Sequence, residues 1–220
     1  MRTRLSRWSP LIAAGLVYAS ASSLAAAQTI VPDSAGGLGL CGPLENSFGP
    51  FDYRTATKEQ KSIVERYHFT PAVETLRSGS TGSIGSDLDY TLRAFPNHLR
   101  ALSALSRYSQ RVGQTRIAGA HYPVECYFDR AIRFTPDDPQ VRVLYGFYLM
   151  KQKRVKEART QLSAAEGAGH DDPQVAYNLG LAYLELGDYD RSVIFAKKAY
   201  AGGISFPGLR NRLTAAGKWK

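Results

Sequence analysis

The spacing of apolar positions changes twice along the chain. From Leu11 to Leu24 they form an alanine-rich run. From Thr57 onward they recur at the three- and four-residue intervals that line one face of a helix. Between the two, residues 28–56 carry Gly36, Gly37, Gly39, Gly42, Pro43, Gly49 and Pro50 among few charges, so no regular helix is expected there. The part from Cys41 to Arg54 nevertheless holds three aromatics, Phe48, Phe51 and Tyr53, and reads as an ordered strap. Helical signals begin at Thr57: Thr57-x-x-Gln60 has capping-box spacing, and Ile63, Val64 and Tyr67 give an apolar face. Thr70-Pro71 supplies an N-cap and an N1 proline for a helix from Pro71 to Arg77 that stops at Gly79. A serine–glycine loop, Ser78 to Gly85, follows. Further helices are expected over Asp87–Phe95, Leu99–Arg111 and Val124–Phe134.

The clearest pattern runs from Pro139 to Phe206, where one unit is written twice. Pro139-Gln140-Val141 recurs as Pro173-Gln174-Val175, an offset of 173 − 139 = 34. This is the period of helix-turn-helix units that bury their apolar faces by stacking on neighbours. Gly146 and Gly180 fall where the first helix of each unit must approach the second closely, with Ala158 and Ser192 facing them. Traced backward, Pro96 and Pro136 each close a unit, and their spacing, 136 − 96 = 40, exceeds the repeat by 40 − 34 = 6. The extra residues belong to the loop Val112–Pro123, whose length makes it a candidate contact region, with His121 beside Tyr122 as the pair to test. Removing Gln114 to His121 is expected to spare folding, because closure entropy changes slowly with loop length. After Pro207-Gly208, Leu209, Leu213 and Ala216 alternate with Arg210, Arg212 and Lys218 as a short amphipathic cap, with Trp219 beneath it.

Asn178-Leu179-Gly180, Tyr183, Gly187-Asp188-Tyr189 and Ala199 stand where the tetratricopeptide signature places a large apolar residue, a small one, an aromatic, a turn and a second small one. Tyr145-Gly146, Leu149, Ala158 and Ala165 match it more loosely. The chain therefore resembles the tetratricopeptide repeat family. Cys41 to Arg54, His68 to Pro71, Phe95 to His98 and Gly208 to Trp219 further resemble a group of exported tetratricopeptide proteins of Gram-negative bacteria. The resemblance implies an all-α fold: a right-handed α-solenoid of helix pairs at 99–138, 139–172 and 173–206. A divergent helical region, 57–98, would precede the pairs, and a capping helix, 207–220, would close them. In that family the first helix of each pair lines a concave groove that holds other chains. Carried over by position, the contact places are Arg100, Ser103, Arg107 and Arg111, then Val143, Phe147 and Lys151, then Tyr177, Asn178, Leu181 and Glu185. Arginines gather at one end and apolar or aromatic residues at the other, as suits a protein segment with acidic and apolar side chains.

Charge adds an address. Arg2, Arg4 and Arg7 precede the apolar run, and Ala25-Ala26-Ala27 follows it before Gln28. That is the pattern of a secretory signal over residues 1–27, in a run short for a membrane span of roughly 20 residues; an uncleaved anchor is the alternative. Processing would leave 220 − 27 = 193 residues and lower the formal charge from +9 to 9 − 3 = +6. This mild basic balance fits acidic partners, an anionic envelope surface or plain solubility, and the chain has no Lys/Arg block of the kind that binds nucleic acid. A periplasmic or secreted location follows. An oxidising compartment makes a Cys41–Cys126 disulfide the economical reading, two separate buried thiols being the alternative. Such a bond would close a loop of 126 − 41 = 85 residues and fasten the strap.

His68, His98, His121 and His170 stand too far from one another and from the cysteines for metal-ligand spacing, so no metal and no cofactor is expected. His98 reads as structural. No nucleophile elbow, P-loop or dinucleotide fingerprint is present. Asp87 and Asp89 should diverge on a helix, and Asp137-Asp138 and Asp171-Asp172 sit where carboxylates cap helices. The Gly79–Gly85 loop reads as a linker rather than a phosphate cradle. The leading expectation is a non-enzymatic scaffold that binds a protein or peptide through Arg100, Arg107, Arg111, Phe147, Lys151, Tyr177, Asn178 and Leu181. Recognition of acidic glycan or lipid headgroups by the arginines stands second, and a hydrolytic enzyme built on His121, Tyr122 and Asp52 third.

Overall fold

The computed structural model describes residues 41–168 and 171–219. The expected signal segment, residues 28–40 and His170 lie outside them. Every regular element among the described residues is an α-helix: α1 (Lys58–His68), α2 (Pro71–Glu74), α3 (Ile84–Ala94), α4 (Leu99–Val112), α5 (Val124–Phe134), α6 (Pro139–Lys151), α7 (Val155–Ala168), α8 (Pro173–Glu185), α9 (Tyr189–Ala201) and α10 (Gly208–Ala215). None of them is long and apolar enough to cross a membrane.

Local chemistry sets most of the boundaries. Thr57 and Gln60 form the capping box at the start of α1. Asp138 and Asp172 cap α6 and α8, accepting from the Gln140 and Gln174 amides at 3.0 and 2.7 Å, with proline at the first helical position in both. Two boundaries differ from expectation. Helix α2 stops at Glu74 rather than Arg77, because Leu76 turns to φ 60° and the amides of Leu76 and Arg77 return to the carbonyls of Val73 and Ala72. This is a Schellman closure with leucine where glycine is usual. The left-handed residue is tolerated because its side chain is buried in the core. Helix α3 begins at Ile84 rather than Asp87, because Ser83 caps it by accepting from the Ser86 amide. Gly85 then lies in the first turn under the Ala118 carbonyl, where a Cβ would come within 2.1 Å.

The repeat written in the sequence is repeated in space. Helices α6 and α8 start 173 − 139 = 34 residues apart, and α7 and α9 start 189 − 155 = 34 apart. The turns between them use Lys153 at φ 62° and Gly187 at φ 71°, again 34 apart. A Cβ on Gly146 would meet Leu162 of α7 at 2.8 Å, and one on Gly180 would meet Leu209 of α10 at 2.5 Å and α9 backbone at 3.4 Å. Packing is most extensive between α6 and α7 and between α8 and α9. Helices α4, α6 and α8 touch in succession, with α5 packed on α4 and α6, and α7 on α6 and α8. The core follows this order as a chain of apolar clusters, the last formed by α8, α9 and α10 around Ala196, Leu209 and Leu213. Ala216, expected on the buried side of the cap, is exposed, and Trp219 packs against the last cluster beside Tyr200.

The strap is ordered by what the helices offer it. Cys41 and Cys126 are joined by a disulfide. The buried Arg130 guanidinium donates to the carbonyls of Cys41 and Pro43, and Arg133 donates to that of Gly42. Further along, the Phe51 amide bonds the Ala94 carbonyl at 2.9 Å and the Tyr53 amide bonds Asn97 Oδ1 at 2.9 Å. Phe48, Phe51 and Tyr53 pack around Val64, Ala94 and Phe95. A segment without a ladder of its own thus has its backbone groups met by side chains and helix ends.

Candidate functional site

A cleft of about 300 Å³ opens between α4, α6 and α8. Helix α4 contributes Leu99, Arg100, Ser103 and Arg107, and α6 contributes Gln140, Val143, Leu144 and Phe147, each set at the intervals that share a helix face. Asn178 of α8 and Glu74 of α2 complete the lining. Most of the apolar part belongs to α6, where Val143 is buried and Phe147 packs partly against the core between α6 and α8, with Leu99 of α4 added. The polar part includes an amide bridge: Asn178 Nδ2 donates to Gln140 Oε1 at 3.0 Å and Gln174 Nε2 donates to Asn178 Oδ1 at 3.4 Å. The Gln140 and Asn178 amides hold more donor hydrogens than this bridge uses, so they are suited to meeting a peptide backbone.

The arginine face of α4 is already engaged. Arg100 grips Glu74 with two parallel bonds, Nε to Oε1 at 2.6 Å and Nη2 to Oε2, and holds the Glu74 carboxyl below its ordinary range. Arg107 Nη2 donates to the Glu74 carbonyl at 2.9 Å, and Arg111 Nη1 donates to the Leu76 carbonyl at 2.6 Å. Spaced seven and four residues apart, the three arginines clamp the turn that ends α2, meeting carbonyls that the short helix cannot satisfy itself.

Of the residues singled out from the sequence, Arg100, Ser103, Arg107, Val143, Phe147 and Asn178 meet in this cleft. Arg111 lies outside its lining, on Leu76. Lys151 is exposed and pairs loosely with Glu185 at 3.9 Å. Tyr177 is buried at 9 % exposure, its ring edge-on to Tyr200 and Phe206, and Leu181 packs against the α8–α9–α10 cluster. Both therefore serve the core beneath the cap rather than the cleft. One residue of rotation separates Tyr177 from Asn178, about 100° on a helix, and that turns one side chain inward and the other into the cleft. Glu74, Leu99, Gln140 and Leu144 were not singled out beforehand. Gln140 carried a signal in the repeated Pro-Gln-Val, whereas Glu74 lies outside the repeat and carried none.

The other candidates resolve into supports. Asp87 and Asp89 do diverge, each to a different loop. Asp87 accepts from the Ser80 and Thr81 amides, the Thr81 hydroxyl and His68 Nδ1, so the serine–glycine loop spends its donors on a carboxylate of the same chain. Asp89 is buried and accepts from Tyr127 Oη, the His121 amide at 3.1 Å, His121 Nδ1 at 2.7 Å and Arg93 Nε at 2.9 Å. Burial works against the ionised form, yet these bonds hold the Asp89 carboxyl below its ordinary range. The segment Gln114–His121, expected to be dispensable for folding, makes core contacts: Ile117 is 2 % exposed in the main core, and His121 closes over Asp89. Asp52 belongs to a separate network with Arg54 and Asn97, where Arg54 pulls its pKa down to about 2. His98 caps α4 by accepting from the Ala101 amide through Nδ1, which leaves Nε2 to donate to Glu65 Oε1 at 3.3 Å. Among the described residues no group of three or more His, Cys, Asp or Glu is placed to hold a metal ion. Comparison with protein-family models finds no match, and neither does comparison with curated proteins.

Proposed function

We propose that this chain is an exported, non-enzymatic binding protein of the tetratricopeptide class, a solenoid that holds an extended protein segment in the cleft between α4, α6 and α8. The observation that carries this reading is the lining itself. Val143, Leu144 and Phe147 of α6 form an apolar wall beside the Gln140–Asn178 amide pair, in a cleft lined by α4, α6 and α8. That is the chemistry of side-chain pockets beside backbone-reading groups. The exact recurrence of helix starts and of the left-handed turn supports the repeat class. The disulfide supports an oxidising, periplasmic or secreted location. With Arg107 and Arg111 committed to the α2 turn, the segment is recognised chiefly by an apolar side chain and by its backbone, with Arg100 as the exposed cation at one rim.

The test is selection of binding peptides from a random display library against the processed, oxidised protein, followed by titration of the selected peptides. Phe147→Ala and Asn178→Ala should each weaken binding by about tenfold, the loss of one well-placed contact in a desolvated site. Ile194→Ser, on the exposed face of α9, should leave it unchanged. Failure to select any peptide, or peptides indifferent to both cleft variants, would refute the reading.

A further inference from the structure

Charge is unevenly placed along the chain. Residues 191–220 hold seven Lys or Arg and no Asp or Glu, so residues 28–190 together carry 6 − 7 = −1, and the whole positive balance of the processed chain lies in its last thirty residues. Arg191 is compensated by Glu166 and Asp188, and Lys198 by Asp171. Lys197, Arg210, Arg212 and Lys218 are exposed, and among the described residues none has a carboxylate at ion-pair distance. Two of them lie on aromatic rings instead: Arg210 on Tyr200 at 4.3 Å and on Trp219 at 5.4 Å, and Lys218 on Tyr189 at 5.3 Å.

An apolar side chain is held outward in the same place. The Tyr200 hydroxyl accepts from the Arg210 amide and donates to the Phe206 carbonyl, both at 2.9 Å, which ties the loop 202–207 to the start of α10. Phe206 in that loop is 57 % exposed, with one edge against Tyr177 at 6.0 Å. The exposed phenyl ring and the Arg210 guanidinium are thus linked through one residue, Tyr200.

We propose that this C-terminal cap, formed by α10, the loop before it and Lys197 of α9, is the face by which the processed protein docks on an anionic lipid bilayer. The cations meet headgroup phosphates, and Phe206 enters the boundary between headgroups and acyl chains. Charge complementarity selects an anionic partner. The outward aromatic ring within the cationic set selects a bilayer over an acidic protein, because the membrane interface accommodates both kinds of group side by side.

The experiment is sedimentation of the processed, oxidised protein with phosphatidylcholine vesicles that contain or lack phosphatidylglycerol, over a salt series. Binding should require phosphatidylglycerol and fade with salt. The double variant Lys197→Glu/Arg212→Glu, at two exposed positions, should weaken binding by at least about tenfold with an unchanged helical spectrum. Phe206→Ser should weaken it by about threefold or more while keeping its salt dependence. Phe147→Ala in the cleft should bind vesicles like the parent, which separates this surface from the peptide site. Absence of binding at low salt would overturn the proposal, as would retention of binding by the double variant. Binding that ignores Phe206→Ser and is displaced by soluble polyglutamate would show an acidic-polymer site and overturn the bilayer assignment.

Discussion

Tyrosines apart, ten polar or charged side chains are buried between Cys41 and Asp138, among them Asp87, Asp89, Asn97, His98 and Arg130; between Pro139 and Trp219, among the described residues, Ser192 is the single one. The second region repeats itself, so each helix presents the small residues and apolar ridges its neighbour requires. The first does not repeat. Its strap, its short α2 and its long loop have irregular backbones whose amides and carbonyls must be met one by one, and buried side chains meet them. Regular packing tolerates the loss of one contact gradually, whereas a buried polar network left half-satisfied costs the full desolvation of the groups stranded in it.

The largest expected effect comes from opening the disulfide. Reduction releases a loop spanning 85 residues and should destabilise the protein by about 4–5 kcal/mol in the chain-entropy treatment. Urea titration with and without reductant measures the loss, and limited proteolysis should cut first between Cys41 and Arg54. A reduced protein that unfolds at the same urea concentration would erase the contrast between the regions. Next, Asp89→Ala strands the Tyr127 hydroxyl and the His121 amide, and should cost about 3–4 kcal/mol. Ser192→Ala, which removes one bond to the Gly180 carbonyl in the repeat region, should cost only about 1 kcal/mol.

A pH series sharpens the comparison further. Burial holds folded His98 at about 4, against about 6.5 in an unfolded chain. The unfolded chain therefore takes up the proton first as pH falls. The stability contributed by neutral His98 is complete above about 6.5 and is lost as pH falls through about 4, a change of up to about 3 kcal/mol. His98→Asn retains a capping acceptor and removes the titration, so thermal melts of the variant should lose this part of the slope. The smallest effect lies in the repeat itself. Lys153→Gly places glycine at the left-handed turn and should stabilise by up to about 1 kcal/mol, while Gly187→Ala, with nothing within 4 Å of the added carbon, should destabilise by a similar amount.

The same division governs what could be read in advance. Helix α5 falls where the apolar spacing placed it, the aspartates cap where their position before Pro139 and Pro173 required, and the two cysteines pair as expected. These features depend on local chemistry or on a repeated pattern. Leu76 at φ 60° has no local signature, since only its burial and the Arg111 bond to its carbonyl support that turn. The α4 arginines were expected to contact a ligand, yet the turn that ends α2, which belongs to no repeat, engages two of them with its own carbonyls. Ile117, with Ala120 and Tyr122 packing beside it, follows no helical or strand period, so its burial had no pattern to announce it. For the cleft, Phe147 and Asn178 were legible from the repeat, whereas Tyr177 is buried against Tyr200 and Phe206, and Phe206 belongs to the non-repeating segment that follows α9.

The grip of Arg100 on Glu74 also sets a threshold. Glu74 is a carboxylate tethered beside its own cation, and a tethered group competes at an effective concentration on the order of millimolar. A free acid arriving at the rim must outbid that resident before it gains Arg100, so dilute small carboxylates are screened out. A polypeptide held in the cleft as proposed would present its acidic side chain tethered as well, and so would compete with Glu74 on comparable terms.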